Sequence, residues 1–237
     1  MRLDKFLSDM GVGSRSELKR SIRKGLVRVN EQIQKDPAAD VDASSEILFD
    51  GVPVHYQSFE YYMMNKPAGV ISASEDKRQK TVLDLMDSRK RKDLFPAGRL
   101  DRDTEGLLLI TNDGQLAHRL LSPKHHVNKC YFVRVAGSLG EEDVQRFADG
   151  IPYDETLTAL PAKLRILECG TDFSTAETTI QEGKFHQIKK MFAALGSGRE
   201  VVYLKRLSMG PLTLDPSLAP GEYRALTEKE LAALKSL

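Results

Sequence analysis

The sequence predicts a two-domain α+β protein. We expect a small N-terminal domain of helices and a β-hairpin, residues 1–57, and a larger domain, residues 58–237, built on a mixed, largely antiparallel sheet with flanking helices. Two helical patterns and a hairpin pattern open the chain, and a polar segment at 57–59 separates them from the rest. Beyond that segment, strand and helix patterns mix without the regular βαβ alternation of a parallel sheet.

The composition excludes several classes of protein. Of the 237 residues, 41% are hydrophobic and 29% are charged, a balance typical of soluble globular domains. Apolar runs fall far short of the roughly 20 residues of a membrane-spanning helix, and the start, MRLDK, lacks the apolar core of a signal peptide. Cys130 and Cys169 are widely separated and form no disulfide pattern. We therefore expect a protein of the reducing cytoplasm that does not act at a membrane.

The N-terminal elements are predicted by spacing and by capping signals. The first helix has apolar residues at the intervals of one helical face, namely Leu3, Phe6, Leu7 and Met10. SRSE, residues 14–17, has the capping-box pattern that starts a second helix, and Gly25 suits its C-terminal end. LVRVNEQIQ, residues 26–34, has the pattern of a hairpin with its turn at Asn30 and Glu31.

Positive charge is concentrated in the second predicted helix, although the net charge of the chain is only +1. Arg15, Lys19 and Arg23 are four residues apart and form a basic stripe beside the apolar one. Such a stripe is a solvated helix face in many proteins and a phosphate-binding surface in others. Charge alone does not distinguish the two.

The elements of the larger domain follow from β-branched and aromatic content, apolar runs and helix caps. The predicted strands are 61–66, 107–110, 129–135, two segments around Gly170 within 162–180, and 201–204. The predicted helices are a short helix-like turn at 82–86, then 115–121, 141–148, 188–195 and a last helix after the cap at Thr227.

One segment, FPAGRLDRDTEGLLLITNDG at 95–114, combines a buried strand with a cluster of charges. Its apolar run, 107–110, is bounded by turn residues and predicts a strand buried on both faces. Directly before that strand lie alternating charges that include Arg99, Asp101 and Asp103. A loop that leads into a buried strand is a rigid support for catalytic side chains.

Metal chemistry is one possibility for this loop. Asp101, Asp103 and Asp113 carry the oxygen ligands that Mg²⁺ prefers. However, Arg99 and Arg102 alternate with them and would compete with a divalent cation. The histidines match no zinc-ligand spacing, and no G-x-S-x-G elbow or nucleotide-binding glycine motif occurs. These patterns favour neither a metalloenzyme nor a serine hydrolase.

Three separated positions carry side chains that suit catalysis: Asp101 in the loop, Tyr131 in a strand and Lys189 at a helix start. None belongs to a local motif. Taken singly, an Asp in a loop is a turn residue, a Tyr in a strand is half-buried core, and a Lys in a first helical turn is solvated.

Longer stretches resemble a known family. AGRLDRDTEGLLLITNDGQLAHRLLSPKHHVNKCY, EGKFHQIKKMFAALG and DPSLAPGEYRALTEKEL are similar to segments of the RsuA-type pseudouridine synthases. RLDKFL and SRSELKRSIRKGLVRVN resemble the S4 RNA-binding domain, whose second helix and following loop lie on structured RNA. The similarity spans essentially the whole chain, and the RLDxxTxGLLL core is its most specific part.

The resemblance implies an RNA-modifying isomerase and assigns three catalytic residues. Asp101 is the nucleophile, acting on C1′ of the ribose or C6 of the uracil. Tyr131 contacts the uracil ring and assists proton removal from C5. Lys189 pairs with Asp101; relatives outside this branch carry Arg there, whereas Lys supplies the charge without a bidentate fork.

The resemblance also implies the residues that bind RNA. Arg99 would hold the RNA open around the target, and Ile188 and Leu204 are expected at the substrate. In the S4-like domain, the candidate RNA contacts are the basic residues of both helices and their flanks, Arg2, Lys5, Arg15, Lys19, Arg20, Arg23 and Lys24.

The expected partner is ribosomal RNA. LSPKHH and LAPGEYR are most similar to the branch that modifies one uridine of 16S rRNA, either free or in a partly assembled small subunit. The alternatives are a synthase acting on 23S rRNA, a non-catalytic S4-type RNA-binding assembly factor and, third, a metal-dependent nuclease. Because the isomerisation neither oxidises nor hydrolyses its substrate, we expect no cofactor and no metal, and we expect a monomer.

Overall fold

A computed structural model describes residues 1–55, 59–87, 91–196 and 198–237, which form two compact units. The first unit comprises Met1–Glu60 and Met86–Leu94, and the second comprises Tyr61–Leu85 and Phe95–Leu237. The sequence predicts the domain boundary between residues 57 and 58 and a linker at 57–59. Residues 57 and 58 lie outside the described residues, so the boundary stays a prediction. Within the described ranges, no helix is long and apolar enough to cross a membrane.

The first unit contains two helices and a four-stranded antiparallel sheet in the order β2-β1-β3-β4. Its elements are α1 (Leu3–Asp9), α2 (Arg15–Arg23), β1 (Val27–Val29), β2 (Gln32–Ile33), β3 (Ile47–Phe49) and β4 (Val52–Val54). The predicted helices and hairpin are confirmed, and Ser14 and Glu17 form the predicted capping box. Strands β3 and β4 are absent from the predicted elements, although Asp50 and Gly51 between them form a dipeptide typical of hairpin turns.

The apolar residues predicted on the two helices form the core of this unit. Leu3, Phe6 and Leu7 from α1 are buried together with Leu18 and Ile22 from α2. The basic stripe of α2 lies beside this packed face, with Arg15 and Arg23 exposed and Lys19 half-buried.

The second unit is built on a nine-stranded sheet. Its strands are β5 (Tyr61–Lys66), β6 (Phe95–Ala97), β7 (Glu105–Thr111), β8 (Lys129–Ala136), β11 (Lys163–Glu168), β12 (Phe173–Ile180), β13 (Val201–Met209), β14 (Leu212–Thr213) and β15 (Tyr223–Ala225), and β9 (Pro152–Asp154) with β10 (Leu157–Thr158) forms a separate hairpin. The helices are α3 (Gly114–Leu121), α4 (Glu141–Asp149), α5 (Gln187–Ala193) and α6 (Glu228–Lys235). The helix-like pattern at 82–86 is a single 3-10 turn, Leu83–Leu85.

The order of the main sheet is β11-β12-β8-β13-β7-β5-β15, with β6 paired to β7 and β14 paired to β13. Strand β7 pairs in parallel with β13 and antiparallel with β5, and β8 pairs antiparallel with both β12 and β13. The predicted α+β class with a mixed, largely antiparallel sheet is confirmed.

Strand β7 lies in the middle of this sheet, as its apolar run predicts. The four residues from Leu107 to Ile110 have no exposed surface. At the start of the strand, Gly106 has φ +101, and a Cβ there would lie 2.2 Å from the carbonyl oxygen of Arg206 on β13. Only glycine permits this approach of the two backbones, and the loop before β7 is thereby fixed against β13.

Candidate active site

The loop between β6 and β7 carries Asp101 on a tight turn. The amide of Thr104 donates to the carbonyl of Asp101 at 3.1 Å, which closes the turn. On the other side of Asp101, the buried Leu100 is held by Ser72, whose Oγ donates to the Leu100 carbonyl and accepts from its amide, both at 3.0 Å. The position of Asp101 is thus set from both sides.

A buried lysine holds the same loop through hydrogen bonds to backbone carbonyls. Lys66, at the end of β5, has no exposed surface, and its Nζ donates to the carbonyls of Thr104 at 2.7 Å and Pro67 at 3.0 Å. The carbonyl of Arg102 lies 3.4 Å from the same Nζ. Burial lowers the pKa of Lys66 to about 8, although Asp103, Glu105 and Asp101 act in the opposite direction. Lys66 therefore adds to the rigid support that the buried strand predicts for this loop.

Lys189, in the first turn of α5, is shared between two carboxylates. Its Nζ lies 3.4 Å from Oδ2 of Asp101, the pairing that the resemblance implies. The same Nζ donates to Oδ1 and Oδ2 of Asp103 at 2.6 Å and 2.8 Å. The hydrogen bond from Lys189 lowers the pKa of Asp103, which is otherwise a largely exposed carboxyl. Asp103, which the sequence suggests only as a possible metal ligand, is thus the closer partner of the cation.

His186 is a neighbour of Asp101 that the sequence does not predict. Its Nε2 lies 3.6 Å from Oδ1 of Asp101, on the side opposite to the oxygen that faces Lys189. From sequence alone this histidine is at most a possible zinc ligand, and its spacing matches no zinc-binding pattern. Its position directly before the helix that carries Lys189 is the one signal that points to it.

All six residues predicted for catalysis and substrate binding line one open cleft. They are Arg99, Asp101, Tyr131, Ile188, Lys189 and Leu204. Tyr131, Ile188 and Leu204 are buried and give the cleft apolar walls, whereas Arg99 is exposed. The cleft is thus an open recess that combines an apolar wall with the charged side chains of Asp101 and Lys189.

Thr104 also lines the cleft and is absent from the residues that the sequence singles out. It is almost fully buried, and within the described residues its Oγ1 has no hydrogen-bond partner. The sequence offers no signal for it beyond its place in the charged loop.

The carboxylates do not form a metal-binding group. Asp113, the third oxygen donor considered, caps α3 by accepting from the Leu116 amide at 3.0 Å and also accepts from the Tyr61 hydroxyl at 2.8 Å. Across residues 1–55, 59–87, 91–196 and 198–237, no three His, Cys, Asp or Glu side chains are grouped as metal ligands would be.

In the first unit, three of the seven candidate RNA-binding residues converge on one buried carboxylate. Asp4 has no exposed surface, and its oxygens lie 3.0 Å from Arg2, 3.4 Å from Arg15 and 3.9 Å from Lys19. The hydrogen bond from Arg2 is the main cause that lowers the pKa of Asp4. Asp4 thus gathers cations from α2 and from the residue before α1. The other four, Lys5, Arg20, Arg23 and Lys24, are exposed.

Comparison with known proteins identifies the family. The model of the RNA pseudouridylate synthase family matches residues 60–194, more than half of the chain. The chain belongs to the RNA pseudouridylate synthase family. The model of the S4 domain matches residues 1–47 of this pseudouridine synthase, so the two resemblances drawn from sequence motifs are confirmed.

The relatives of this pseudouridine synthase match it from end to end. The uncharacterized RNA pseudouridine synthase YtzG of Bacillus subtilis is 51% identical over 99% of this chain and 98% of its own. Ribosomal small subunit pseudouridine synthase A of Escherichia coli is 39% identical over 99% of this chain and 100% of its own. A pseudouridylate synthase of known crystal structure is 39% identical, with a TM-score of 0.68 over 99% of both chains.

Proposed function

We propose that this pseudouridine synthase converts a uridine of 16S ribosomal RNA to pseudouridine, with Asp101 as the nucleophile and without a cofactor. The observation that carries the proposal is the convergence of Asp101, Lys189 and Tyr131, from three separate elements, on one partly apolar cleft. A non-catalytic RNA-binding protein has no need of such an arrangement.

The reaction is an isomerisation, and its balance limits what the protein must supply. The N1–C1′ bond of uridine breaks, the uracil turns, and a C5–C1′ bond forms. A proton leaves C5 and N1 is protonated, so the product has the composition of the substrate. Because nothing is oxidised or hydrolysed, the step is complete with a nucleophile, a proton acceptor and charge stabilisation.

Asp101 is the nucleophile in this proposal, and attack on C1′ or on C6 is compatible with its position at the cleft wall. Lys189 places a positive charge 3.4 Å from one of its oxygens and compensates the negative charge of the carboxylate. Asp103 holds Lys189 through two short hydrogen bonds and so fixes where that charge lies. The fastened turn between Leu100 and Thr104 keeps the nucleophile oriented.

Tyr131, Ile188 and Leu204 form the apolar slot for the uracil ring in this proposal. Removing a base from the RNA stack costs a few kcal/mol, and stacking on an aromatic side chain returns about 1–3 kcal/mol per base. The Tyr131 hydroxyl assists removal of the C5 proton, and the exposed Arg99 contacts the RNA phosphates opened around the flipped nucleotide.

The choice of 16S rRNA is supported by relatives named ribosomal small subunit pseudouridine synthase A, including those of Vibrio cholerae (43% identical) and Escherichia coli (39% identical). Each is covered almost completely by this chain. The S4 domain supplies basic residues for phosphate contacts outside the cleft.

The test is to map pseudouridine in 16S and 23S rRNA incubated with the wild-type protein and with Asp101→Asn. We expect one modified uridine in 16S rRNA with the wild type and none with Asp101→Asn, while folding and RNA binding are retained. Turnover by Asp101→Asn would refute the nucleophile, and modification of 23S rRNA alone would refute the target.

A parallel incubation with EDTA separates the proposal from a metal-dependent nuclease. We expect unchanged pseudouridine formation and intact RNA, because the isomerisation uses side chains alone. Inhibition by EDTA, or RNA cleavage that Asp101→Asn abolishes, would favour the nuclease.

A further inference from the structure

An aromatic ring stands exposed at the rim of the cleft. Phe185 has 75% of its surface accessible, more than any other large hydrophobic residue among those that the structure describes. Its ring stacks on the imidazole of His186, with centroids 3.8 Å apart and planes 19° from parallel. The catalytic proposal gives this pair no role, although an exposed Phe is costly to keep in water.

The Phe185–His186 stack extends from the proposed nucleophile, Asp101, to the solvent. His186 lines the cleft, with Nε2 3.6 Å from Asp101, and Phe185 lies on the imidazole with one face still free. Hydrogen bonds hold the backbone of residues 182–187 in place. The buried side chain of Gln187 accepts from the Lys184 amide at 3.0 Å and donates to Glu182 at 2.8 Å. The outer face of Phe185 is therefore a fixed planar surface beside the cleft.

We propose that the Phe185–His186 stack binds the base of a nucleotide next to the target uridine, by stacking on the free face of Phe185. This inference rests on the proposed RNA substrate. In the proposed reaction the target uridine is flipped into the cleft, so the RNA strand passes over the rim, where a neighbouring base has lost the stacking partner that was flipped out. A planar apolar ring replaces that partner without reading the sequence.

The surroundings of the ring favour a nucleotide over an apolar protein partner. Arg99, which is exposed, lies on the same cleft, and so does Lys184, whose Nζ is paired with Glu182 at 2.9 Å. An exposed ring on the same cleft as an exposed arginine matches the combination of stacking surface and phosphate attraction that proteins use to bind single-stranded RNA.

The first measurement is the affinity for 16S rRNA transcript in the Asp101→Asn background, so that no turnover occurs. Phe185→Ala is expected to weaken binding by about 5- to 150-fold, the equivalent of about 1–3 kcal/mol for one stacked base. Phe185→Tyr, which keeps the ring, is expected to retain the affinity. Phe173→Ala is the matched control, because Phe173 is a 42% exposed aromatic on β12 outside the cleft.

A fluorescence measurement tests the stacking directly. The chain contains no tryptophan, so Phe185→Trp introduces a single indole at the rim and Phe173→Trp introduces one elsewhere. Adding the transcript is expected to quench the emission of Phe185→Trp and leave that of Phe173→Trp unchanged. Equal behaviour of the two variants would overturn the proposal.

A double-mutant cycle identifies the base. Once the modified uridine is mapped, oligoribonucleotides are made with an abasic residue on its 5′ or its 3′ side. Phe185→Ala is expected to lose its effect on affinity with one of these two RNAs, because the stacking partner is already missing. An undiminished effect with both RNAs would overturn the stacking. If the wild-type protein forms no pseudouridine, the proposed function is refuted instead. Failure of the stacking proposal and failure of the proposed function are therefore distinguishable.

Discussion

Lys189 shows how single side chains in this protein serve two partners. The sequence assigns it to Asp101, and the structure confirms that the two are close, at 3.4 Å. Its hydrogen bonds, however, go to Asp103, two residues further along the turn. Because consecutive turn residues point in different directions, their distances to a lysine on another element follow only from the folded loop.

Replacing Lys189 is predicted to raise the pKa of Asp103 and to slow the reaction attributed to Asp101. In Lys189→Met, the pKa of Asp103 is expected to rise into the ordinary range for an aspartate, because the hydrogen bond from Lys189 is the main cause of its lowering. Pseudouridine formation is expected to fall by roughly 10²-fold or more, the cost of removing one charge-stabilising group in other enzymes. NMR titration of the carboxyl carbons and initial rates provide the measurements.

The matched control is Lys190→Met. This neighbouring lysine pairs with Asp154 at 2.7 Å instead, so the pKa of Asp103 and the rate should both stay at wild-type values. A rate unaffected by Lys189→Met would remove Lys189 from the proposed catalytic group.

Lys66 gives a pH dependence of stability with a definite sign. Its pKa is about 8 in the folded protein, against 10.5 for an ordinary lysine. Between these two values the unfolded chain binds more protons than the folded one, so the contribution of Lys66 to the free energy of unfolding rises with pH. Below pH 8, the folded state bears the full penalty of the buried charge.

The measurement is the difference in free energy of unfolding between wild type and Lys66→Met from pH 7 to pH 10. The wild type is expected to gain stability relative to the variant above pH 8. A difference that does not change with pH would contradict the lowered pKa of Lys66. Groups common to both proteins, such as Tyr203 with its raised pKa of about 12, cancel in the comparison.

At the scale of elements, β7 and its leading glycine fix the active-site loop. The apolar run 107–110 predicts the buried strand correctly because a strand with neighbours on both faces must be apolar throughout. The same run cannot show which strand lies alongside. The parallel register with β13, Lys205 opposite Glu105 and Arg206 opposite Gly106, depends on a strand about 100 residues later.

Gly106→Ala is predicted to destabilise the second unit by about 2–5 kcal/mol, since it combines an unfavourable positive φ with a collision against the backbone of Arg206. Urea unfolding followed by circular dichroism measures the change. Gly114→Ala is the control: Gly114 lies in α3 with open space around it, so stability should be unchanged or slightly higher. Equal effects of the two substitutions would show that β7 and β13 adjust to the added methyl group.

At the scale of the whole molecule, the proposed catalytic residues and the candidate RNA-binding residues are divided between two compact units. The second unit holds the cleft, and the S4 unit holds the basic residues around α2. Arg2, Arg15 and Lys19 surround the buried Asp4, so part of the positive charge of this unit has a structural partner. Arg20 and Arg23 are exposed and remain the stronger candidates for phosphate contacts.

Neutralising Arg20 and Arg23 together, as Arg20→Gln and Arg23→Gln, is predicted to weaken binding to 16S rRNA and to reduce its dependence on salt. Each lost phosphate contact lowers the slope of log affinity against log salt by about 0.7–0.9, so a reduction of roughly 1.5 is expected for two. The control changes two exposed lysines of the second unit, Lys163 and Lys229, to glutamine. An unchanged slope in the arginine variant would mean that this face of α2 is only solvated.

The sequence by itself determined the local elements and the family. Helices α1, α2 and α6 follow from apolar spacing and capping boxes, because these signals act within four residues. The specific motif around Asp101 and the S4 pattern identified a pseudouridine synthase, which the family comparison confirms.

Only the tertiary structure decided which side chains meet. Asp103 and Lys189 are 86 residues apart in sequence but hydrogen-bonded in the fold. The proximity of His186 to Asp101 and the burial of Lys66 beneath the loop likewise depend on how β5, β7 and α5 pack. Local patterns carry no record of such distances, because each is set by many long-range contacts at once. The motifs could therefore single out Asp101, the proposed nucleophile, and its neighbour Lys189, whereas His186 and the exposed ring of Phe185 stacked on it became visible only in the fold.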